Sequence, residues 1–134
     1  MNIGIIGLGS MGLNLAKNII SKKYKVYAYE KNPAINNDLK KNKDKDLFLT
    51  ESLNELLNKV ISPRIIMLSL PADKVDEVIN ELTNFLEPED IVADLGNSLY
   101  LKSMERNTLL NSHMINFLGV GVSGGPRGAN IIKV

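Results

Sequence analysis

Two spacings of apolar residues alternate along this chain. Short continuous apolar runs read as strands buried on both faces: Ile3, Ile5 and Ile6, then Lys25 to Tyr29, Leu47 to Leu49, Ile65 to Leu68, Asp90 to Asp94 and Ile115 to Val120. Between them the apolar residues recur at helical spacing. Leu13, Leu15, Ala16, Ile19 and Ile20 form one such stripe, and Leu53, Leu56, Leu57 and Val60 another. Val75, Val78, Ile79, Leu82 and Leu86 form a third, with a further helix over Tyr100 to Leu110. Local signals mark the boundaries. Asn32-Pro33 combines a helix N-cap with a proline at the first helical position, and Ser52-Leu53-Asn54-Glu55 is a capping box. Pro63 stops the helix before it, Pro71 opens one and Pro88 closes it.

Strict alternation of strand and helix predicts an α/β chain: a doubly wound parallel sheet covered on both faces, a three-layer α/β/α sandwich with right-handed crossovers. In such a sheet ligands lie beyond the carboxyl ends of the strands. Those ends carry the residues with binding chemistry: Gly7 to Gly12 after the first strand, Glu30 after the second, Ser69-Leu70-Pro71 after the fourth, Gly96-Asn97-Ser98 after the fifth and Ser123-Gly124-Gly125 after the sixth. One crevice should collect them.

With 134 residues the chain is sized for one domain, taken as 1–134. Sixteen Lys and Arg against 15 Asp and Glu leave a net charge of +1, so no basic field points to nucleic acid. The absence of cysteine excludes disulfides, thiolate metal sites and thiol nucleophiles. No apolar stretch is long enough to span a membrane, and a first strand starting at residue 2 leaves no room for a leader, so a cytoplasmic location is expected. The mixed-charge run from Asp38 to Asp46 reads as a solvated helix end and loop.

The run Gly7-Leu8-Gly9-Ser10-Met11-Gly12 has the Gly-x-Gly-x-x-Gly spacing of a dinucleotide-binding turn, and it stands between a strand and a helix as that motif requires. Gly7 suits the tight turn, Gly9 lets the backbone approach a pyrophosphate, and Gly12 lets helix and strand pack closely. N–H groups at the helix start would hold the phosphate charge. Glu30, about 20 residues on, stands where a carboxylate accepts hydrogen bonds from ribose hydroxyls, which favours NAD. Lys31 beside it could offset the carboxylate toward the 2′-phosphate of NADP. Asn97 reads equally as a turn or N-cap residue and as a donor and acceptor for a nicotinamide or a substrate hydroxyl. Ser123, Gly124 and Gly125 form a backbone-donor loop suited to an anion, or an ordinary loop. His113, the one histidine, reads as an exposed loop residue. No cluster has metal-ligand spacing.

Three segments taken together resemble the cofactor domain of 6-phosphogluconate dehydrogenases, within the β-hydroxyacid dehydrogenase superfamily: Gly7 to Asn18, Asp94-Leu95-Gly96-Asn97-Ser98, and Gly119 to Ala129. The 3-hydroxyisobutyrate dehydrogenases resemble the first and third but carry Ser-Thr in place of Asn97-Ser98. The resemblance implies a Rossmann-type sheet and an NADP- or NAD-dependent oxidative decarboxylation of 6-phosphogluconate to ribulose 5-phosphate, in the pentose phosphate pathway. It implies dinucleotide contacts at Gly7, Leu8, Gly9, Ser10, Met11, Gly12, Glu30, Lys31, Asn32, Ser69, Leu70, Pro71 and Asn97. Contacts to the sugar-acid phosphate fall on Asn97, Ser123, Gly124 and Gly125.

The chain departs from the family pattern at three places. Leu95 replaces the first glycine of the usual Asp-Gly-Gly-Asn, Leu70 stands where a Lys is frequent, and Glu30-Lys31-Asn32 replaces an Asn-Arg-Thr stretch that reads the NADP 2′-phosphate. The family places its catalytic Lys and Glu, and a helical domain that builds a homodimer, after the Ser-Gly-Gly loop. A cofactor domain without turnover of its own is therefore expected, with a 3-hydroxyisobutyrate-type hydroxyacid dehydrogenase domain or a non-catalytic dinucleotide-binding module as the alternatives. Exposed apolar surface is expected where the helical domain belongs.

Overall fold

At the middle of the sheet lies β1 (Asn2–Ile6), hydrogen-bonded in parallel to β2 (Lys25–Tyr29) on one side and β4 (Ile65–Leu68) on the other. Its register pairs Ile3 with Val26 and Ile65, and Ile6 with Tyr29 and Leu68. Outward from β2 lies β3 (Leu47–Thr50), and outward from β4 lie β5 (Ile91–Asp94) and β6 (Asn116–Gly119). The computed structural model describes residues 2–42, 44–96 and 99–121. Among these the sheet is six-stranded and parallel throughout, in the order β3-β2-β1-β4-β5-β6. The winding direction reverses between β1 and β4, and in doubly wound sheets a crevice opens at that point.

Alternation along the strands explains why they read as continuous apolar runs. Ile3 and Ile5 of β1, Val26 and Ala28 of β2 and Leu47 of β3 join one cluster, with Leu15, Ala16 and Ile19 of α1 (Ser10–Ser21) and Leu39 of α2 (Pro33–Lys41). Ile6, Ile66, Leu68, Val92 and Phe117 face the other way. They pack with α3 (Leu53–Lys59), α4 (Ala72–Leu82) and Leu110 of α5 (Tyr100–Ser112). Helices therefore cover both faces, and the inner strands need apolar residues on both, whereas β6, at the edge, buries only Phe117 and is not covered on both faces as its apolar run suggested.

The helix starts follow the local chemistry. Asn32 caps α2 by accepting the Ala34 N–H at 2.9 Å, with Pro33 first in the helix. Ser52 caps α3 by accepting the Glu55 N–H at 3.0 Å, while the Glu55 carboxylate reaches back one residue beyond the cap, to the Glu51 N–H at 2.7 Å. The largest difference from the expected boundaries is at α4, which ends at Leu82, not near Leu86. The Thr83 hydroxyl donates to the Asn80 carbonyl and the Asn84 amide to that of Glu81, while the Phe85 N–H takes the Leu82 carbonyl in a tighter turn. Such local side-chain bonds compete with the helical ladder. The fifth and sixth strands are also shorter than their apolar runs by a residue or two. His113 is exposed at the C-cap of α5. Among the described residues no helix is long and apolar enough to cross a membrane. Leu99, Tyr100, Leu101 and Met104 at the start of α5 are exposed, as is Leu118 of β6.

A buried ion pair joins elements at the N-terminal edge of the sheet. Arg64 sends Nε to the carbonyls of Leu57 and Val60 at 2.9 and 3.0 Å, satisfying the end of α3, and Nη1 to Asp90 Oδ2 at 2.8 Å. Asp90, fully buried, also accepts the N–H groups of Arg64 and Glu87 and the Ser62 hydroxyl. Removing one partner of such a pair strands the other charge, typically at about 3–5 kcal/mol. Arg64→Met should therefore lower the urea-unfolding free energy by ~3 kcal/mol or more; a loss below ~1 kcal/mol would show that the backbone donors alone satisfy Asp90.

Candidate functional site

Three strand ends meet in the first βα turn. The Gly7 N–H donates to the Tyr29 carbonyl of β2, and the Ser69 N–H, just past β4, donates to the Ile6 carbonyl, both at 2.9 Å. Gly7 has φ +96°, a conformation L side chains rarely adopt, and a Cβ there would collide with the Ser69 carbonyl oxygen. A Cβ on Gly12 would strike the Gly7 carbonyl oxygen, so α1 starts in backbone contact with the turn. Gly9 is the opposite case. A Cβ on it would meet nothing within 4 Å, and the open side lies at the start of α1.

That helix start has the properties of an anion site. Its ladder begins with the Leu13 N–H on the Gly9 carbonyl at 2.9 Å, so the N–H groups of Ser10, Met11 and Gly12 precede the first helical bond. No acidic residue stands in the first turn of this 12-residue helix to oppose a negative ligand. Gly9 and Ser10 are exposed, and Leu8 is buried as an anchor. A pyrophosphate-bearing ligand fits this geometry: open space at Gly9, backbone donors and the positive end of a helix dipole.

The ridge Ser69-Leu70-Pro71 separates two hollows. One, of about 320 Å³, is lined by Gly9, Ser10, Met11, the ridge, Leu95 and Gly96. The other, of about 250 Å³, lies between Gly7, Tyr29, Glu30, Lys31, Leu53 and the side of α4 that carries Lys74, Glu77, Val78 and Glu81. The first lies just inside, and the second just below, the ~300–1,000 Å³ usual for small-molecule sites. A ligand laid across the start of α1 would have one half in each. Glu30 borders the second hollow with both carboxylate oxygens engaged: Oε2 accepts the Leu8 N–H at 2.6 Å and Oε1 the Asn32 N–H at 2.9 Å. Its charge is thereby held against the glycine turn. Lys31 and Asn32 are exposed beside it, and Lys40, paired with Glu51 at 3.4 Å, lines a further hollow with Glu30 and Lys31.

The structure thus brings together Gly7 to Gly12, Glu30, Lys31, Asn32, Ser69, Leu70 and Pro71. Asn97, Ser123, Gly124 and Gly125 lie outside the described residues. Among the described residues no group of three or more His, Cys, Asp or Glu is placed to hold a metal. Lys74 and Val78 escaped the sequence reading because they enter the hollow from the flank of α4. A second omission is the network behind Gly96. Arg106 of α5 is buried and bridges Asp76 of α4 (Nε to Oδ1, 2.8 Å) and Asp94 at the end of β5 (Nη1 to Oδ2, 3.2 Å). A signal for it existed: Arg106 lies four residues before the buried Leu110, a charge on the core-facing side of the helix.

Two predictions follow from these contacts. Gly7→Ala should destabilise the fold by more than ~1 kcal/mol in urea unfolding, whereas Gly9→Ala, at φ −64° and with open space, should stay within ~0.5 kcal/mol of the native chain. The second concerns Asp76, whose hydrogen bond from Arg106 holds its carboxyl below the ordinary 3.8; partial burial opposes this, while the charges of Arg106 and Lys102 add to it. Because the folded value is the lower one, its stabilisation is present above the unfolded value and fades as pH falls through the folded value. The stability gap between the native chain and Asp76→Asn should be level from pH 7 to 5 and shrink below about pH 4. A gap independent of pH would refute that ion pair.

Comparison with known proteins agrees with this geometry. Residues 2–132 match the family model described as the NAD binding domain of 6-phosphogluconate dehydrogenase. The decarboxylating 6-phosphogluconate dehydrogenase of Chlamydia pneumoniae is 43% identical over 131 residues, covering 96% of this chain and 27% of that protein. That of Buchnera aphidicola from Acyrthosiphon pisum is 38% identical over 129 residues, covering 95% of this chain and 28% of the relative. The chain therefore spans little more than a quarter of these relatives. The Plasmodium falciparum 6-phosphogluconate dehydrogenase, solved in its apo form, with its cofactor NADP+ and with its substrate 6-phosphogluconate, superposes with a TM-score of 0.88 at 33% identity, over 97% of this chain and 29% of that one. Mycobacterium tuberculosis 3-hydroxyisobutyrate dehydrogenase shares the fold, with a TM-score of 0.83 at 21% identity over 96% of this chain and 43% of that one. With its β1–β4 crevice, its glycine turn and a family match along nearly its whole length, the chain belongs to the NAD-binding domain family of 6-phosphogluconate dehydrogenase.

Proposed function

We propose that this chain is the cofactor-binding domain of a decarboxylating 6-phosphogluconate dehydrogenase, and that the full protein is a cytoplasmic homodimer in the pentose phosphate pathway. The open backbone at Gly9, set at the start of α1, carries the reading. Ser10, Met11 and Gly12 bind the pyrophosphate through their N–H groups, and Gly7 and Leu8 hold the turn that presents them. Leu70 and Pro71 divide the adenosine side from the nicotinamide side, with Ser69 beneath. The nicotinamide, when bound, accepts hydride in the oxidation of 6-phosphogluconate to ribulose 5-phosphate and CO₂. Asn97 orients the nicotinamide and the sugar acid, and Ser123, Gly124 and Gly125 hold that substrate by hydrogen bonds. No catalytic acid or base is assigned within residues 1–134; the Lys and Glu of the family belong to a following segment with the helical domain. The exposed apolar side chains at the start of α5 support an interface with that domain or with a second subunit.

Glu30 sets the cofactor preference toward NAD. Each of its oxygens already accepts one backbone N–H, which leaves lone pairs for a ribose diol while the fixed charge repels a 2′-phosphate. Lys31 and the NADP habit of the family act in the other direction. Titrating the chain with NADH and NADPH, followed by cofactor fluorescence, tests both parts. NADH should bind more tightly, and Glu30→Ala should weaken it about 10-fold relative to NADPH, as expected for loss of a hydrogen bond to a charged group. A native preference for NADPH would assign the pocket to Lys31, and binding of neither would refute the dinucleotide site.

A further inference from the structure

We infer that Arg106 is a positioning residue for the wall of the crevice that receives the nicotinamide half of the cofactor, acting through Asp94 on the Leu95-Gly96 turn; this rests on the dinucleotide reading above. Asp94 ends β5 with its side chain almost entirely buried, and its two oxygens have different duties. Oδ1 accepts the Gly96 N–H at 2.9 Å, and Oδ2 accepts Nη1 of Arg106 at 3.2 Å. The same guanidinium holds Asp76 of α4 through Nε at 2.8 Å, so one planar fork ties α4, α5 and the end of β5 together. Such a fork constrains orientation as well as charge.

The turn it holds has little room. A Cβ on Gly96 would lie 3.2 Å from both Asp94 Oδ1 and the Leu70 carbonyl oxygen, and the Leu95 N–H is bonded to the Leu68 carbonyl at 2.9 Å. Leu95 and Gly96 then form the wall opposite Gly9, Ser10 and Met11. Among the described residues, Glu30 is not bonded to this network. Loss of the fork should therefore affect one half of the ligand and spare the other.

The test compares the native chain, Arg106→Met and the double variant Arg106→Met/Asp94→Asn. The double variant guards against unfolding: it removes the buried charge that the single change strands, while the introduced amide can still accept from Gly96. Amide hydrogen exchange gives a readout without any ligand. Exchange at Gly96 should quicken at least tenfold in both variants while Val92 and Ile5 stay within twofold. Titration with NADH and with ADP gives the second readout: NADH affinity should fall about tenfold, and ADP affinity, which depends on the glycine turn and Glu30, should stay within twofold. Unchanged Gly96 exchange overturns the inference whatever the ligand does. Equal losses for NADH and ADP, or native NADH affinity in the double variant, would reduce Arg106 to a structural counter-charge and overturn it also. If the native chain binds neither nucleotide, the dinucleotide reading fails and takes the role in the crevice with it, whereas altered Gly96 exchange would still show the fork holding the turn.

Discussion

Backbone-to-backbone contact between Gly7, Gly12 and Ser69 is the constraint on which the site depends. The turn after β1 must leave the sheet, enter a helix and still lie against the end of β4. Space for this exists only because two of the three positions carry no Cβ. The contact places the start of α1 over the reversal of strand order, where no crossover helix covers the strand ends. The open helix end, with its N–H groups unused by the helical ladder, and the crevice are thus two results of one packing requirement. Gly9 then stays open because the packing at its neighbours aims it outward.

Two buried arginines hold the far half of the sheet, one at each end of β5. Arg64 pairs with Asp90 just before the strand, and Arg106 with Asp94 at its close. The first joins the end of α3 to the starts of β4 and β5, away from the crevice, and serves the framework. The second lies directly behind the crevice wall. The same chemistry joins framework elements at one edge and shapes the crevice at the other, and the difference is its position relative to the carboxyl ends of the strands. Buried pairs of this kind are weak sources of net stability but define geometry well, because an unpaired partner is costly.

Much of the fold was legible in the residues. Strand and helix alternation, the Asn32-Pro33 cap, the Ser52 cap and the glycine turn all rest on local physics acting over a few residues, and each appears in the structure. The end of α4 was not legible. Leu86 continues the helical spacing, but the hydroxyl of Thr83 and the amide of Asn84 take carbonyls of the last turn, and apolar periodicity is blind to that competition. The reciprocal bond of the α3 capping box shows the same limit, since residue type names the participants but not which N–H the Glu55 carboxylate reaches.

By itself the sequence determined the architecture, the position of the glycine turn and the residue types at the strand ends, because these depend on periodicity and on conformations open to few residues. Tertiary structure decided which of them touch. It placed the Glu30 carboxylate on the Leu8 N–H, 22 residues away, brought Lys74 and Val78 into the hollow beside Glu30, and joined Arg106 to Asp76 and Asp94 behind Gly96. Those contacts depend on sheet order and on the facing of α4 and α5. Both are set by how two apolar clusters close over opposite faces of the sheet, a property of the packed whole that no local stretch of chain contains.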